Sequence, residues 1–240
     1  MKEVIPEVTI RRLTRYLRCL EFMSENGKKV VLSKELAKTC KISSSLVRRD
    51  LSYFGDFGVK GTGYDIEVLK QKIRNILGID RTRNLIVIGI GNVGRALLNY
   101  QFMNPGLRII AGFDKDPQKA GKKINGIPVY HDDKLEDFIK NNNISIAVVA
   151  VPRDTVHDVV NRLINSGVKA ILSFALVPIQ VPEDVVLSYV EIESELEILS
   201  YKLKTRGCNM KADKTLDVRT FMCPMPIIKT KSNRGEMESK

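Results

Sequence analysis

The chain has 240 residues, 43% hydrophobic and 28% charged, enough for two modest domains with a core each, while its longest apolar run, Ile146 to Val151, is too short for a membrane span. The net charge of +11 is unevenly divided: residues 1–84 hold 18 Lys and Arg against 10 Asp and Glu, residues 85–206 hold 14 of each, and residues 207–240 hold 7 against 4. A basic segment beside a neutral one predicts a polyanion-binding module joined to a domain of another kind.

The first residues, Met1 to Pro6, lack the apolar core of a secretory signal, so a cytoplasmic location is expected. Cys19, Cys40, Cys208 and Cys223 show neither a Cys-x-x-Cys pair nor a nearby His cluster. Neither a zinc site nor a disulfide framework is predicted.

Ile10, Leu13, Leu17, Leu20 and Met23 recur at three- and four-residue steps and predict an amphipathic helix ending near Asn26 and Gly27, with Arg11, Arg12, Arg15 and Arg18 largely on other faces. Ser33 is the expected cap of a short helix from Lys34 to about Cys40, and Ser43 or Ser44 that of a third running through Leu46, Val47, Leu51 and Phe54 to Gly55. The glycine-rich stretch Val59 to Tyr64 suits a strand-turn-strand wing or a simple hairpin turn, and a helix from about Asp65 to Leu77 follows.

Helices followed by a wing predict a winged helix-turn-helix domain over residues 1–80, whose last core helix can enter a DNA major groove. Ser43, Ser44, Ser45, Arg48 and Arg49 would then face DNA, with Lys60, Gly61, Gly63 and Tyr64 of the wing near the phosphates. Arginine suits this role because its planar fork bonds a guanine edge bidentately.

Leu85 to Ile88 reads as a buried parallel strand and leads straight into Gly89-Ile90-Gly91-Asn92-Val93-Gly94 and a helix, the dinucleotide fingerprint in its proper context. A second strand, Arg108 to Phe113, ends at Asp114, twenty residues past Gly94. Its carboxylate can accept from the adenosine ribose and would repel a 2′-phosphate, favouring NAD(H), with Lys115 next to it moderating that preference.

Strands at Ile127 to Tyr130, Ser145 to Val151 and Ala170 to Phe174, alternating with helices from about Asp133 and after Pro152, complete an α/β, doubly wound Rossmann domain over residues 81–206. A dehydrogenase would need an acid or base beside the nicotinamide. His131 and His157 read as surface residues, and the Tyr-x-x-x-Lys spacing of Tyr130 and Lys134 falls at the wrong place for a reductase pair. No catalytic residue is predicted, and an enzyme is not expected.

From Glu191 to Lys204, Ile192, Leu196, Leu199 and Leu203 form a seam that fits either a partner helix or the protein's own sheet. One small DNA module makes few contacts, so a twofold dimer on a pseudo-palindrome is the expected arrangement.

Arg48-Arg49-Asp50-Leu51-Ser52-Tyr53-Phe54-Gly55, Gly61-Thr62-Gly63-Tyr64 and the fingerprint with its Asn92-Val93-Gly94 resemble the Rex family of redox-sensing transcriptional repressors over about residues 4–206. The resemblance implies a homodimeric repressor that holds double-stranded operator DNA when NAD+ dominates and releases it when NADH binds, its terminal helix at about 192–204 exchanged between subunits. It also implies a switch of Arg18, Tyr100 and Glu191, with Tyr100 and Phe174 in the nucleotide pocket. Glu191 stands where the family typically has Asp, and Ser173-Phe174-Ala175-Leu176 where it usually has Asn-Phe-Ala-Pro.

Two other readings of the same residues are a small NAD-dependent oxidoreductase with an auxiliary basic domain, and a Rossmann domain for coenzyme A or another nucleotide. Residues 207–240 are expected to be a disordered tail, in which Thr215 to Lys229, with its Cys-Pro-x-Pro core at Cys223, resembles the start of a TusA-like sulfur-carrier domain.

Overall fold

The computed structural model describes residues 5–55, 62–102, 104 and 106–206. Lys60 and Gly61, Cys208 and Cys223, and the segment resembling a sulfur carrier lie outside the described residues.

Helix α1 (Glu7–Glu25) buries the predicted stripe of Leu13, Leu17, Leu20 and Met23, together with Tyr16. It ends in Gly27 at φ 77°, where Gly27 N donates to Ser24 O and Lys28 N to Met23 O, a Schellman closure that needs a left-handed residue. Strand β1 (Val30–Val31) follows, then α2 (Ser33–Thr39), α3 (Ser44–Ser52), strand β2 (Tyr64–Asp65) and α4 (Ile66–Ile76). These elements close around a core that adds Val31, Leu36, Val47, Leu51, Ile66, Leu69 and Ile73 to the α1 stripe.

Several local expectations are corrected. Ser33 begins α2 instead of capping it; the cap is Leu32, whose N–H donates to Glu35 Oε2 at 2.8 Å. Ser43 caps α3 by accepting from Leu46 N, and the helix ends at Ser52, because the turn closed by Gly55 at φ 100° takes up Tyr53 and Phe54. Asp65 caps α4, accepting from Val68 N at 3.0 Å. Strand β2 pairs antiparallel with β1, Val31 opposite Tyr64 and Val30 opposite Asp65, so the expected wing leans on a strand only two residues long that periodicity cannot reveal.

The second half is a seven-stranded sheet. Its strands are β3 (Arg83–Ile88), β4 (Leu107–Asp114), β5 (Lys123–Ile124), β6 (Ile127–His131), β7 (Ile146–Val149), β8 (Ala170–Ser173) and β9 (Val186–Tyr189), in the spatial order β5-β6-β4-β3-β7-β8-β9. All neighbours are parallel except β5 and β6. Helix α5 (Asn92–Asn99) links β3 to β4, while α6 (Leu135–Asn142) and α7 (Val156–Asn165) flank β7.

Alternate residues of β3 feed opposite cores, as the period of two requires. Ile86 and Ile88 meet Leu135, Ile139, Val156 and Val160, whereas Leu85 and Val87 meet Leu98 of α5. The chain leaves β3 toward β4 on one side and returns to β7 on the other, so a crevice opens beyond the carboxyl ends of β3 and β7, where ligands bind in such sheets. Beyond β9, α8 (Ile192–Arg206) closes the described chain.

Candidate functional site

The fingerprint loop joins β3 to α5 at that crevice. Gly89 sits at φ 88°, and a Cβ there would meet Ala150 O at 2.5 Å; a Cβ on Gly94 would meet Gly89 O at 1.9 Å. These two glycines are demanded by the fold. Gly91 differs: it caps α5 at an ordinary φ of −79°, and a Cβ built on it meets nothing within 4 Å. The open space in front of Gly91, at a helix N-terminus with exposed Asn92 and Val93 beside it, is what a pyrophosphate requires. The residues present therefore fit a dinucleotide.

Asp114 lies at the end of β4 with its carboxylate turned into the loop. Oδ2 accepts from Ile90 N at 2.7 Å and Lys119 Nζ at 3.0 Å, and Oδ1 accepts from Asp116 N at 2.9 Å. Burial opposes the charged form, but the bonds from Asp116 N, Lys119 and Ile90 N outweigh it and hold the carboxyl below the ordinary range. Ile90 serves the loop through this bond and its buried side chain, so its expected part in binding is indirect. Lys115 is exposed, its carbonyl oxygen 3.1 Å from His131 Nε2.

Beside Ile90 a cavity of about 450 Å³ is lined by Arg95, Asn99, Lys119, Lys122, Lys123 and Ile124. The four cations among them, Arg95, Lys119, Lys122 and Lys123, would favour an anionic group. Composition did not single them out, because residues 85–206 are neutral in sum.

Phe174 follows β8, half-buried against the core that contains Leu85 and Val87, and Phe174 N donates to Val149 O. The buried Ser173 hydroxyl donates to Ala175 O and accepts from Ala175 N, both at 3.1 Å, so it closes its own turn. Tyr100, expected in the nucleotide pocket, stands within one chain at the end of α5. It caps the far end of α5, an eight-residue helix about 12 Å long, from the glycine loop, and its exposed ring meets Phe102 edge-on at 5.1 Å.

Of the other switch candidates, Arg18 is exposed on α1 and forms no hydrogen bond or ion pair among the described residues. Glu191 precedes α8 and accepts from Ser194 Oγ at 2.8 Å. The single chain does not bring the three together.

On α3, Val47, Asp50 and Leu51 face inward, leaving Ser45, Arg48, Arg49 and Ser52 on the outer face and half-buried Ser44 in the first turn. Arg48 Nη1 donates to Ser33 Oγ at 3.1 Å, and Ser43 and Ser45 hydroxyls lie 3.1 Å apart. Gly63 sits at φ 88°, where a Cβ would meet Val31 O at 2.8 Å, so the strand pairing itself requires a glycine there, and half-buried Tyr64 packs on the N-terminal core.

Asp50 is the residue that pattern reading missed. Fully buried, it is bound by Arg12, Tyr16 and Thr9 of α1. The signal was a carboxylate at the inward spacing of Val47 and Leu51. His131, half-exposed, has Nδ1 3.1 Å from Asp133 Oδ1, and that hydrogen bond raises its pKa above the ordinary value. Tyr130 packs with Phe113 and Phe138, and His157 is exposed.

A family model described as a CoA binding domain matches residues 80–177, and one for a DNA-binding protein N-terminus matches residues 4–52. The chain is 39% identical over 220 residues to the redox-sensing transcriptional repressor Rex of Caldanaerobacter subterraneus, covering 88% of this chain and 98% of that protein. It is 42% identical to the Rex of Streptomyces coelicolor, covering 82% and 77%. The solved structure of RSP with β-NAD+ and operator DNA matches with a TM-score of 0.80 at 37% identity, over 85% of this chain and 95% of that one. RSP with β-NADH matches with a TM-score of 0.78 at 35% identity, over 85% and 97%.

Proposed function

Because the chain belongs to the Rex family of redox-sensing transcriptional repressors, we propose that it grips operator DNA with the outer face of α3 and releases it when NADH seats on the Gly89–Gly94 loop. The chain is a repressor governed by NADH and NAD+, not an enzyme. The observation that carries the nucleotide assignment is Gly91, a glycine whose own protein leaves its Cβ position empty.

In this reading Arg48 and Arg49 supply the forks for guanine edges, and Ser43, Ser44 and Ser45 at the α3 N-terminus bring small side chains and a positive dipole end to the phosphates. Lys60 and Gly61 extend the contact along the wing. Exposed Ile192, Leu196, Leu199 and Leu203 pair α8 with a second copy, giving two recognition helices for a pseudo-palindrome. The protein works in the cytoplasm, where its operator is.

Sensing rests on charge. NAD+ carries a cationic ring and NADH a neutral one, and a cation is costly to bury among apolar side chains. The face beside half-buried Phe174, with the Ser173 hydroxyl already bonded to Ala175, offers little to solvate a cation. Asp114, with Oδ1 accepting only from Asp116 N among the described residues, keeps room for a ribose hydroxyl. Arg18, Tyr100 and Glu191 act between subunits, biasing one two-state equilibrium that DNA and NADH share.

Fluorescence anisotropy of a labelled operator duplex, titrated with the protein in saturating NAD+ and then in saturating NADH, tests this. Weaker binding in NADH supports the reading, and equal affinity in the two overturns it.

A further inference from the structure

Cys19 and Cys40 take no part in the function above. They are 21 residues apart in sequence with no motif between them, yet their Sγ atoms lie 2.7 Å apart; a covalent S–S bond is about 2.05 Å. Cys19 stands on α1, partly open to solvent, and Cys40 caps the C-terminus of α2, fully buried; both are free thiols. The helix packing has thus assembled a dithiol pair.

We propose that Cys19 and Cys40 form a reversible dithiol–disulfide redox site that a hydroperoxide oxidises. Cys19 attacks first because it alone has solvent access. Its sulfur takes the distal peroxide oxygen, the O–O bond breaks, and the departing alkoxide or hydroxide leaves with the thiol proton as alcohol or water. Cys40 Sγ then attacks the sulfenic sulfur of Cys19, the S–O bond breaks, and hydroxide leaves with the Cys40 proton as water. Two thiols and one hydroperoxide give one disulfide, one alcohol or water, and one water, with two electrons passing from sulfur to oxygen.

The environment suits the order of events. Burial, then the neighbouring sulfur, push the Cys40 thiol up, so it is the resolving and not the attacking group. Arg15, one helical turn before Cys19, acts electrostatically on Cys40 in the opposite sense, but burial and the neighbouring sulfur outweigh it. Because the sulfurs lie 2.7 Å apart, the cross-link needs a further approach of only about 0.7 Å. It ties α1 to the residue just before Lys41, whose left-handed backbone (φ 52°) leads the chain toward α3. In a reducing compartment such a link is transient and signals oxidation. The site is independent of the nucleotide and DNA assignments, so either can fail without the other.

The test uses the full chain with Cys208→Ser and Cys223→Ser, so that only this pair remains. The protein is treated with hydrogen peroxide, alkylated and analysed by mass spectrometry. The expected product is about 2 Da lighter, resists alkylation at both positions, yields one peptide pair joined through Cys19 and Cys40, melts several degrees higher and is restored by dithiothreitol. Adding Cys19→Ser leaves Cys40 unoxidised in the folded protein, whereas adding Cys40→Ser leaves a sulfenic acid on Cys19 that dimedone traps. An unmodified pair, a gain of about 32 Da on Cys19 with Cys40 still present, or a cross-link that forms only after denaturation would each overturn the proposal. If Cys40→Ser does not fold, the cross-link and the Cys19→Ser result still decide.

Discussion

Arg12 of α1 meets Asp50 of α3 through two parallel hydrogen bonds, Nε to Oδ2 at 2.5 Å and Nη2 to Oδ1 at 2.7 Å. Tyr16 OH adds a third bond to Oδ2 at 2.6 Å. Asp50 is wholly buried and Arg12 only one-fifth exposed, so this bidentate pair is of the strong, oriented kind. The bond to Asp50, strengthened by Coulomb attraction, raises the Arg12 pKa; burial foremost, then the bond to Asp50, raises that of Tyr16. Helix α3 is thus fastened to α1 by its inner face while Arg48 and Arg49 look outward.

Replacing Asp50 by Ala should leave Arg12 and Tyr16 without their acceptor, and breaking a largely buried pair costs about 3 kcal/mol. For a domain of this size that is a fall of roughly 12–24 °C in Tm. Operator affinity should drop as well, although Asp50 itself cannot reach DNA. Thermal unfolding of Asp50→Ala beside Arg48→Ala separates the roles: the first should melt early, the second should keep its Tm and lose DNA. A Tm for Asp50→Ala within a degree of the parent would show that the pair does not hold α3.

The two glycines on either side of Val93 make a second contrast. Gly91→Ala meets open space at an ordinary φ and should cost under about 1 kcal/mol of stability, while weakening NADH at least about tenfold by filling the place of the pyrophosphate. Gly94→Ala drives a Cβ to 1.9 Å from Gly89 O, which is backbone. That overlap outweighs the gain of about 1 kcal/mol in helix propensity, so this variant should lose stability and nucleotide together. Calorimetry with a fluorescence titration of NADH checks both, and equal loss of Tm in the two would sink the distinction.

These contrasts also mark what a linear pattern can carry. The α1 stripe, the strand–glycine–helix order and Asp114 follow from spacing alone, because each is a property of one segment. Val30–Val31 is too short for any period, and β5 is likewise two residues long. Gly63 reads in sequence as a residue for close approach to DNA, and its demand from Val31 O is invisible there. Asp50 reads as one more charge in a polar run until α1 is packed against it. What escaped is pairing: a residue's partner lies on another element, and only the fold supplies it.

Asp114 gives the loop a pH signature. Its pKa is lower in the folded chain than the ordinary value of about 3.9, so its contribution to stability is complete above that value and disappears as pH falls through the folded pKa below it. Between about pH 5 and 8 the contribution of Asp114 should therefore be constant. Asp114→Asn removes the contribution at every pH, so the gap in unfolding free energy between parent and variant should be constant above about pH 5 and narrow below about pH 4. Urea unfolding at several pH values measures it, and a gap that widens toward acid would reverse the assignment.

Helix α8 carries the last prediction. Ile192, Leu196, Leu199 and Leu203 fall within about 60° of one another around the helix at 100° per residue, and Ile198 and Tyr201 lie on the opposite side; all six are exposed, between 44% and 70%. Apolar side chains on two faces fit a helix inserted between surfaces of a second copy better than one resting on its own sheet, which would bury a single stripe. Each leucine buried there contributes about 2 kcal/mol and occurs twice in a twofold dimer. Leu199→Glu should therefore raise the dimer dissociation constant by about a thousandfold or more, and Tyr201→Ala, on the other side, should weaken it too. Sedimentation velocity across a concentration series reads the shift directly. Since half-site spacing is fixed by the dimer, operator binding should fall in step with dissociation while NADH still protects the glycine loop. A Leu199→Glu chain that stays dimeric would mean that α8 packs elsewhere and that the subunits meet by another surface.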